Sequence, residues 1–393
     1  MHPLTKEFFD SFPLIDTEKV LPRQRYRTFG YPLLANWARL MRVHDMLTDE
    51  DSRELFRRCV VFRLLECFLP QGRIYELYPL IGPEAWAQIL KTVETVPGAE
   101  GDTPVDRAEI WLLKTYDHPA CHVEPGDVVL DVGAFTGNSG LYFDDQATPK
   151  EGGGEGTIYS FEPHPDSFAL LQKNMAGRTG VICVNAACAE RTGKGLLRGQ
   201  GVGARLSQGE GIPITLWTID DFIEKNGIEK VDFIKMDIEG LEPQALEGAR
   251  ETIRRFHPKL AICLYHLSEH FFSIPEQIAS YGVPYDFYLK NGDDTVGIVL
   301  FCVPSKEAER VPLPVADDEA AMMKQLGELF LLQSVVPEPA PIEVPVEVQV
   351  PQPVFRELST WECGVQLAKN FHLYSLLRPL YRALRKKNDG SVS

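Results

Sequence analysis

The chain lacks several things, and each absence narrows what it can be. Its eight cysteines include no Cys-x-x-Cys pair and keep no regular spacing. Cys183, Cys263 and Cys302 sit inside apolar, strand-like runs, where they read as small buried hydrophobes of a reducing compartment rather than as disulfide partners. No uninterrupted apolar run reaches the ~18 residues of a membrane span. The first residues, Met1-His-Pro-Leu-Thr-Lys-Glu-Phe8, carry no apolar signal core. A soluble, cytoplasmic protein is therefore expected. An excess of basic charge is missing too: 40 Lys and Arg stand against 56 Asp and Glu, a net charge of −16. That argues against a nucleic-acid surface, which would be basic.

With 393 residues, 44% hydrophobic and 10% aromatic, the chain has room for two or three domains with ordinary cores. Its most informative stretch runs from Val128 to Phe143. Val128-Val-Leu-Asp131 reads as a buried strand ending on a carboxylate, and Gly133-Ala-Phe-Thr-Gly137 then turns into a helix-like segment. Glycine at such a strand end lets backbone adopt positive φ and approach a ligand closely. About 25 residues on, Thr157-Ile-Tyr-Ser-Phe-Glu162 reads as a second strand ending in an acid. In a doubly wound sheet an acid at that place lies beside the first loop and can grip a ribose diol. The pair predicts a nucleoside-bearing cofactor. Phe135 occupies the middle of the glycine turn, where a side chain crowds a pyrophosphate, so the dinucleotide fingerprint is not met.

Strands are expected at 128–131, 157–161, 181–185, 232–236, 259–264, 285–289 and 296–303, and helices at 139–146, 166–175, 243–256 and 275–281. This alternation predicts a mostly parallel sheet with helices on both faces. The last two strands are joined by Asn291-Gly-Asp-Asp, a hairpin-type turn.

The wider pattern resembles the FkbM family of S-adenosylmethionine (SAM)-dependent methyltransferases. The matching residues are Asp131-Val-Gly-Ala-Phe-Thr-Gly-Asn138, Phe161-Glu-Pro-His-Pro165, Leu216-Trp-Thr-Ile-Asp-Asp-Phe222, Ile234-Lys-Met-Asp-Ile-Glu-Gly240 and Lys259-Leu-Ala-Ile-Cys-Leu-Tyr-His266. Each motif is weak alone; the five together, in order, carry the resemblance from about Val123 to Pro304. It implies a class I, Rossmann-like, seven-stranded α/β methyltransferase sheet. It also implies that the loop Gly133, Ala134, Phe135, Thr136, Gly137 and Asn138 wraps the methionine end of SAM. Glu162, followed by Pro163, would hold the ribose hydroxyls. Asp131 would reach the amino group, directly or through water, and Asn185 and Ala186 would lie by the adenine. Asp131 and Asn185 have a plainer reading as caps of the next backbone turn.

Methyl transfer also needs somewhere for the acceptor's proton to go. Asp237 and Glu239 end the fourth strand, and period-2 alternation puts Lys235, Asp237 and Glu239 on one side. Ligands of open α/β sheets bind at the carboxyl ends of strands. One of the two acids is a candidate general base, or both can ligate a hard divalent ion; no metal ligand is assigned and metal dependence is left open. Lys235 can pair with either acid. His266 ends the fifth strand and would face the same crevice, and histidine is the commonest general base. His266-Leu-Ser-Glu-His270 also fits His-x-x-Glu-His, but that zinc chemistry needs both histidines on one helix face. Here His266 closes a strand and Ser268 looks like a helix cap. The expected reaction is O-methylation of a hydroxyl on a small-molecule, sugar or glycan acceptor. The alternatives are a nucleotide-cofactor oxidoreductase and a non-catalytic docking module of the same fold.

Around this domain, 123–305, the expected organisation is a helical N-terminal region over 1–122, a helical extension over 306–336, a proline-rich linker over 337–353 and a basic amphipathic C-terminal helix within 354–393. Thr48 is a plausible N-cap of the helix that follows it. The C-terminal helix, with Leu367, Phe371, Tyr374, Leu377 and Leu384 on one stripe and Arg378, Arg382 and Arg385 among its cations, is expected to dock on a partner, a membrane surface or its own protein.

Overall fold

The computed structural model describes residues 1–11, 25–69, 73–74, 78, 80–148, 155–199, 205–207, 209–293, 296–305 and 317–333. The expected linker and C-terminal helix lie outside these residues, as do parts of the 151–156 and 306–336 segments. The chain divides into two compact units.

The larger unit, residues 45–56 and 79–312, has eleven strands among its described residues: β1 Val128–Val132, β2 Thr157–Phe161, β3 Val181–Val184, β4 Ala187–Cys188, β5 Gly193–Arg198, β6 Arg205–Ser207, β7 Ile212–Trp217, β8 Phe233–Met236, β9 Lys259–Cys263, β10 Tyr285–Asn291 and β11 Ile298–Pro304. Seven of them form one sheet in the order β10-β11-β9-β8-β1-β2-β3. β1 pairs in parallel with both β2 and β8, and β8 with β9. Only β11 is reversed, antiparallel to both β9 and β10. This is the expected doubly wound sheet, with each of its seven predicted strands in place and the hairpin at 291–297 closed by Gly292 N–H donating to Gly297 O at 2.9 Å. The central strands read as continuous apolar runs because helices cover both faces. Val129, Ile158, Phe233, Ala261 and Phe301 share one core with Phe143 of the helix Asn138–Ala147.

Several details differ from the sequence reading, among them the helix expected at 275–281, which runs His270–Ala279 with Pro275 inside it. The expected helix 243–256 is two helices, Glu242–Glu247 and Arg250–Phe256, broken where Gly248 passes tightly against Ala189: a Cβ there would lie 2.1 Å from the Ala189 carbonyl oxygen. The cap of the helix beginning at Glu50 is Asp49, not Thr48: Asp49 Oδ1 accepts the Ser52 N–H at 2.8 Å. Thr48 instead accepts Phe287 N–H at the sheet edge. A second, four-stranded sheet, β4-β7-β5-β6, has its own small core of Leu197, Ile214 and Leu216.

The smaller unit comprises residues 1–44, 57–78 and 313–393. Its described part is helical, and Asp317–Gln333 packs in it through Phe330, which meets the rings of Tyr26 and Phe68 edge-on. The Tyr26 hydroxyl donates to the Gly327 carbonyl at 3.0 Å.

Candidate functional site

Strand order reverses between β1 and β8: the chain runs outward from β1 through β2 to β3, then returns to β8 on the other side. Loops leaving adjacent carboxyl ends there diverge and leave a crevice. A cavity of about 470 Å³ occupies it, within the larger unit, a size suited to a small-molecule or cofactor site.

Its first wall is the loop after β1. Gly133, Phe135 and Gly137 have φ of +87°, +48° and +102°, three left-handed residues in five. At Gly133 this is compulsory: a Cβ would sit 1.9 Å from the Asp237 carbonyl oxygen. Gly133 and Ala134 N–H both donate to Phe161 O, at 3.1 and 2.9 Å, which ties the loop to the end of β2. Gly133→Ala should therefore part the loops after β1 and β8. An expected loss of about 1–3 kcal/mol of stability, read by urea unfolding, should accompany weakened nucleoside binding.

Glu162 forms the adjoining wall. Its Oε2 accepts Phe135 N–H at 3.1 Å and its Oε1 accepts His164 N–H at 2.7 Å. Burial pushes its pKa up to about 7 against the pull of those two N–H groups and of Lys235. A carboxylate kept this dry has acceptor capacity to spare for ligand hydroxyls.

Of the other predicted cofactor residues, Gly133, Ala134, Phe135, Thr136, Asn138, Pro163 and Ala186 line the cavity together with Glu162. Two of these side chains are already engaged. Thr136 Oγ1 donates to Asp102 at 2.7 Å, and Asn138 joins Trp111 Nε1 (2.7 Å) to the Asp106 carbonyl (3.0 Å). The segment before β1 is thus laced to the loop. Asp131, Gly137 and Asn185 do not line the cavity. Asp131 is fully buried and holds Lys235 at 3.2 Å and the hydroxyls of Ser139 and Ser160. Its carboxylate organises the loop rather than facing the crevice. Gly137 is the left-handed residue that starts the helix Asn138–Ala147. Asn185 is exposed and donates to the Glu162 carbonyl at 2.9 Å, which is the plainer, turn-capping reading.

The opposite wall follows β8 and β9. Lys235, Asp237 and Glu239 all line the cavity, but strand alternation accounts for only the first two. β8 ends at Met236, and Glu239 is turned by a left-handed φ of +58°, rare for a residue with a Cβ. Lys235 chooses neither predicted partner. It is 1% exposed, donates to Gly133 O at 2.6 Å and pairs with Asp131. Burial lowers its pKa, but Asp131 and Asp237 outweigh burial and the net shift is upward.

Two tyrosines clamp Asp237: Tyr116 Oη donates to Oδ2 at 2.5 Å and Tyr265 Oη to Oδ1 at 2.9 Å. Burial alone would raise this carboxyl's pKa, yet His266, Lys235 and the two phenols hold it below the usual value. His266 Nε2 stands 3.3 Å from Asp237 Oδ1 and 3.9 Å from Glu239 Oε2, and Nδ1 stands 2.9 Å from Glu242 Oε1. Burial pulls the imidazole's pKa down, but Glu242, Asp237 and Glu239 reverse this and raise it. The three predicted catalytic residues are therefore brought together. The zinc-motif reading fails on geometry: His270 begins the helix His270–Ala279 while His266 lies before it, and Glu269, not Ser268, holds the position before that helix, with no side-chain cap hydrogen bond. Sequence reasoning missed Tyr116, Glu242 and the acids Asp102, Asp106 and Glu109, which come from segments outside the strand-end motifs or from a helix start.

Residues 131–283 match a family model described as the methyltransferase FkbM domain. Over 161 residues the chain is 26% identical to the 2-O-methyltransferase NoeI of Sinorhizobium fredii (strain NBRC 101917 / NGR234), covering 34% of this chain and 61% of that protein. The chain thus spans about three-fifths of the length of that curated relative. Among solved structures it is similar to the methyltransferase FkbM of Methylobacillus flagellatus KT, with 20% identity, a TM-score of 0.47 and coverage of 68% of this chain and 59% of that one. It is also similar to Aeropyrum pernix fibrillarin in complex with S-adenosyl-L-methionine, with 15% identity, a TM-score of 0.33 and coverage of 50% and 73%. The resemblance to the FkbM family is borne out over residues 131–283, and the class I methyltransferase sheet by the strand order itself.

Proposed function

We propose that this chain is a SAM-dependent O-methyltransferase whose acceptor is a hydroxyl of a sugar, glycan or other small metabolite. The observation that carries the reading is one cavity with two unlike walls at the switch point of the sheet. On one side the Gly133 loop and the buried Glu162 suit a nucleoside, and on the other Asp237, Glu239 and His266 converge. The printed name of the curated relative, a 2-O-methyltransferase, supports oxygen as the acceptor atom.

The residues fit SAM by their chemistry. Glu162, with its pKa raised to about 7, gains most from two ribose hydroxyls that donate to it. Phe135 lines the cavity at the middle of the glycine turn, where a side chain crowds a pyrophosphate. When bound, SAM supplies an electrophilic methyl group on a sulfonium. The chain's part is to hold the acceptor oxygen in line, an orientation effect of roughly 7–11 kcal/mol in favourable cases, and to receive its proton. The Asp237–His266 pair can take that proton only while the imidazole is neutral. Turnover should therefore fall as pH drops through the raised His266 pKa.

The basic C-terminal segment is the proposed docking element for a membrane surface or a partner. Among the described residues no helix is long and apolar enough to cross a membrane.

Radiolabelled methyl transfer from SAM to a panel of mono- and oligosaccharides tests the reading. Label should appear in a base-stable ether of at least one hydroxylated acceptor. Transfer only to amines or carboxylates, or reduction of a nicotinamide cofactor instead, would overturn it.

A further inference from the structure

The helix Glu242–Glu247 starts with a glutamate that is fully buried. Glu242 Oε1 accepts the Ile238 N–H at 2.9 Å, which bends the turn carrying Asp237 and Glu239. The same oxygen lies 2.9 Å from His266 Nδ1, and Oε2 lies 3.4 Å from His270 Nδ1. Across the ring, Nε2 of His266 meets Asp237 at 3.3 Å. Asp237, Glu242 and His266 lie close enough to suggest a cation site, but the imidazole stands between the carboxylates. Each of its nitrogens addresses a different acid, so Glu242 and Asp237 do not converge on one nitrogen.

We propose that Glu242 is a positioning residue: it orients His266 from the Nδ1 side and leaves Nε2 to face Asp237 and the cavity. Its catalytic meaning rests on the methyltransferase reading; its geometry does not. The 2.9 Å approach is a charge contact rather than an aligned hydrogen bond, and a buried carboxylate at that distance favours the tautomer with the proton on Nδ1. Among the described residues, His266 is faced by Asp237 and Glu239 on the loop after β8, Glu242 on the helix start, Tyr265 beside it, and His270 behind Glu242. Tyr116 and Lys235 act on it through Asp237. His270 is a control within the same cluster. It shares Glu242 at the longer distance, and burial pushes its pKa down to about 4. The opposite direction at His266 follows from the nearer Glu242 and from Asp237 and Glu239.

The test is a pH titration of the full chain labelled with 15N-histidine, followed by two-bond 1H–15N correlation spectra. The His266 signals are assigned by their loss in His266→Gln. In the wild type His266 should titrate above free imidazole, and its neutral form should keep the proton on Nδ1. In Glu242→Gln its midpoint should fall by about one pH unit or more, as expected when an opposite charge within ~4–6 Å is removed. An unmoved midpoint in Glu242→Gln, or a neutral ring protonated on Nε2 in the wild type, would overturn the proposal. The tautomer is read on the wild type, so a glutamine variant that fails to fold still leaves a decisive result. Neither measurement needs SAM or an acceptor, so the proposal can fail while the methyltransferase reading stands, and the reverse.

Discussion

Replacing His266 by alanine should reduce methyl transfer by about 10²–10⁴-fold, the usual contribution of a positioned acid–base group, while SAM binds with unchanged affinity. The expected loss is large because His266 is the hub of the acidic wall. It lies within reach of Asp237, Glu239 and Glu242 together. Without it the acceptor's proton is left to the carboxylates Asp237 and Glu239, which line the same wall. The wild-type rate should fall on the acid side, through the raised His266 pKa, and the alanine variant should lose that limb. Asp237→Asn should be similarly damaging, because it removes the acid half of the pair. Steady-state turnover at saturating SAM, measured across pH, checks both. Near-normal turnover in both variants would leave orientation to account for the rate alone.

Lys235→Met should cost about 3–5 kcal/mol of stability. That is the scale for breaking a buried ion pair by removing one partner. The methionine nearly matches the lysine stem in volume, so packing changes little. What remains is Asp131, fully buried, with its charge opposed only by the hydroxyls of Ser139 and Ser160. The Gly133 carbonyl loses its 2.6 Å donor at the same time. Guanidinium unfolding of the two proteins reads the difference directly. Equal midpoints and slopes would show that the pair is neutral in the folded protein.

These two residues also show how far the sequence could be read. The sheet was legible because its strands are short apolar runs bounded by glycine, acid or turn residues, and that pattern survives without a structure. Glu162 was legible for the same reason, since an acid at the end of β2 can hardly avoid the first loop. The partner of Lys235 was not. Alternation placed the lysine beside Asp237 and Glu239, but the parallel pairing of β1 with β8 sets Asp131 directly opposite Lys235, and only register reveals it. The same register accounts for the burial of Asp131 against Lys235. Glu239 reaches the cavity through a left-handed turn that periodicity cannot foresee. Tyr116 lies 121 residues from Asp237, and nothing local marks it as a ligand of that carboxylate. The second sheet was missed because β4 and β6 are two and three residues long, too short to show a period.

Titration calorimetry with SAM, on the wild type and on Glu162→Ala, tests the central claim most directly. The account predicts one SAM site per chain in the wild type and no binding of NAD. In the variant the loss of a charge-assisted hydrogen-bond pair should weaken binding by about 1.5–3 kcal/mol, roughly 10- to 150-fold. The pH dependence has a definite sign. Ribose hydroxyls donate to the ionised carboxylate, so binding lowers a Glu162 pKa that stands at about 7 in the free protein. Wild-type affinity should therefore improve as pH rises towards about 7 and level off above it, with proton release on binding below that point. Glu162→Ala should lose this dependence. SAM affinity that is the same in both proteins and flat with pH would contradict the assignment of this cavity as the cofactor site.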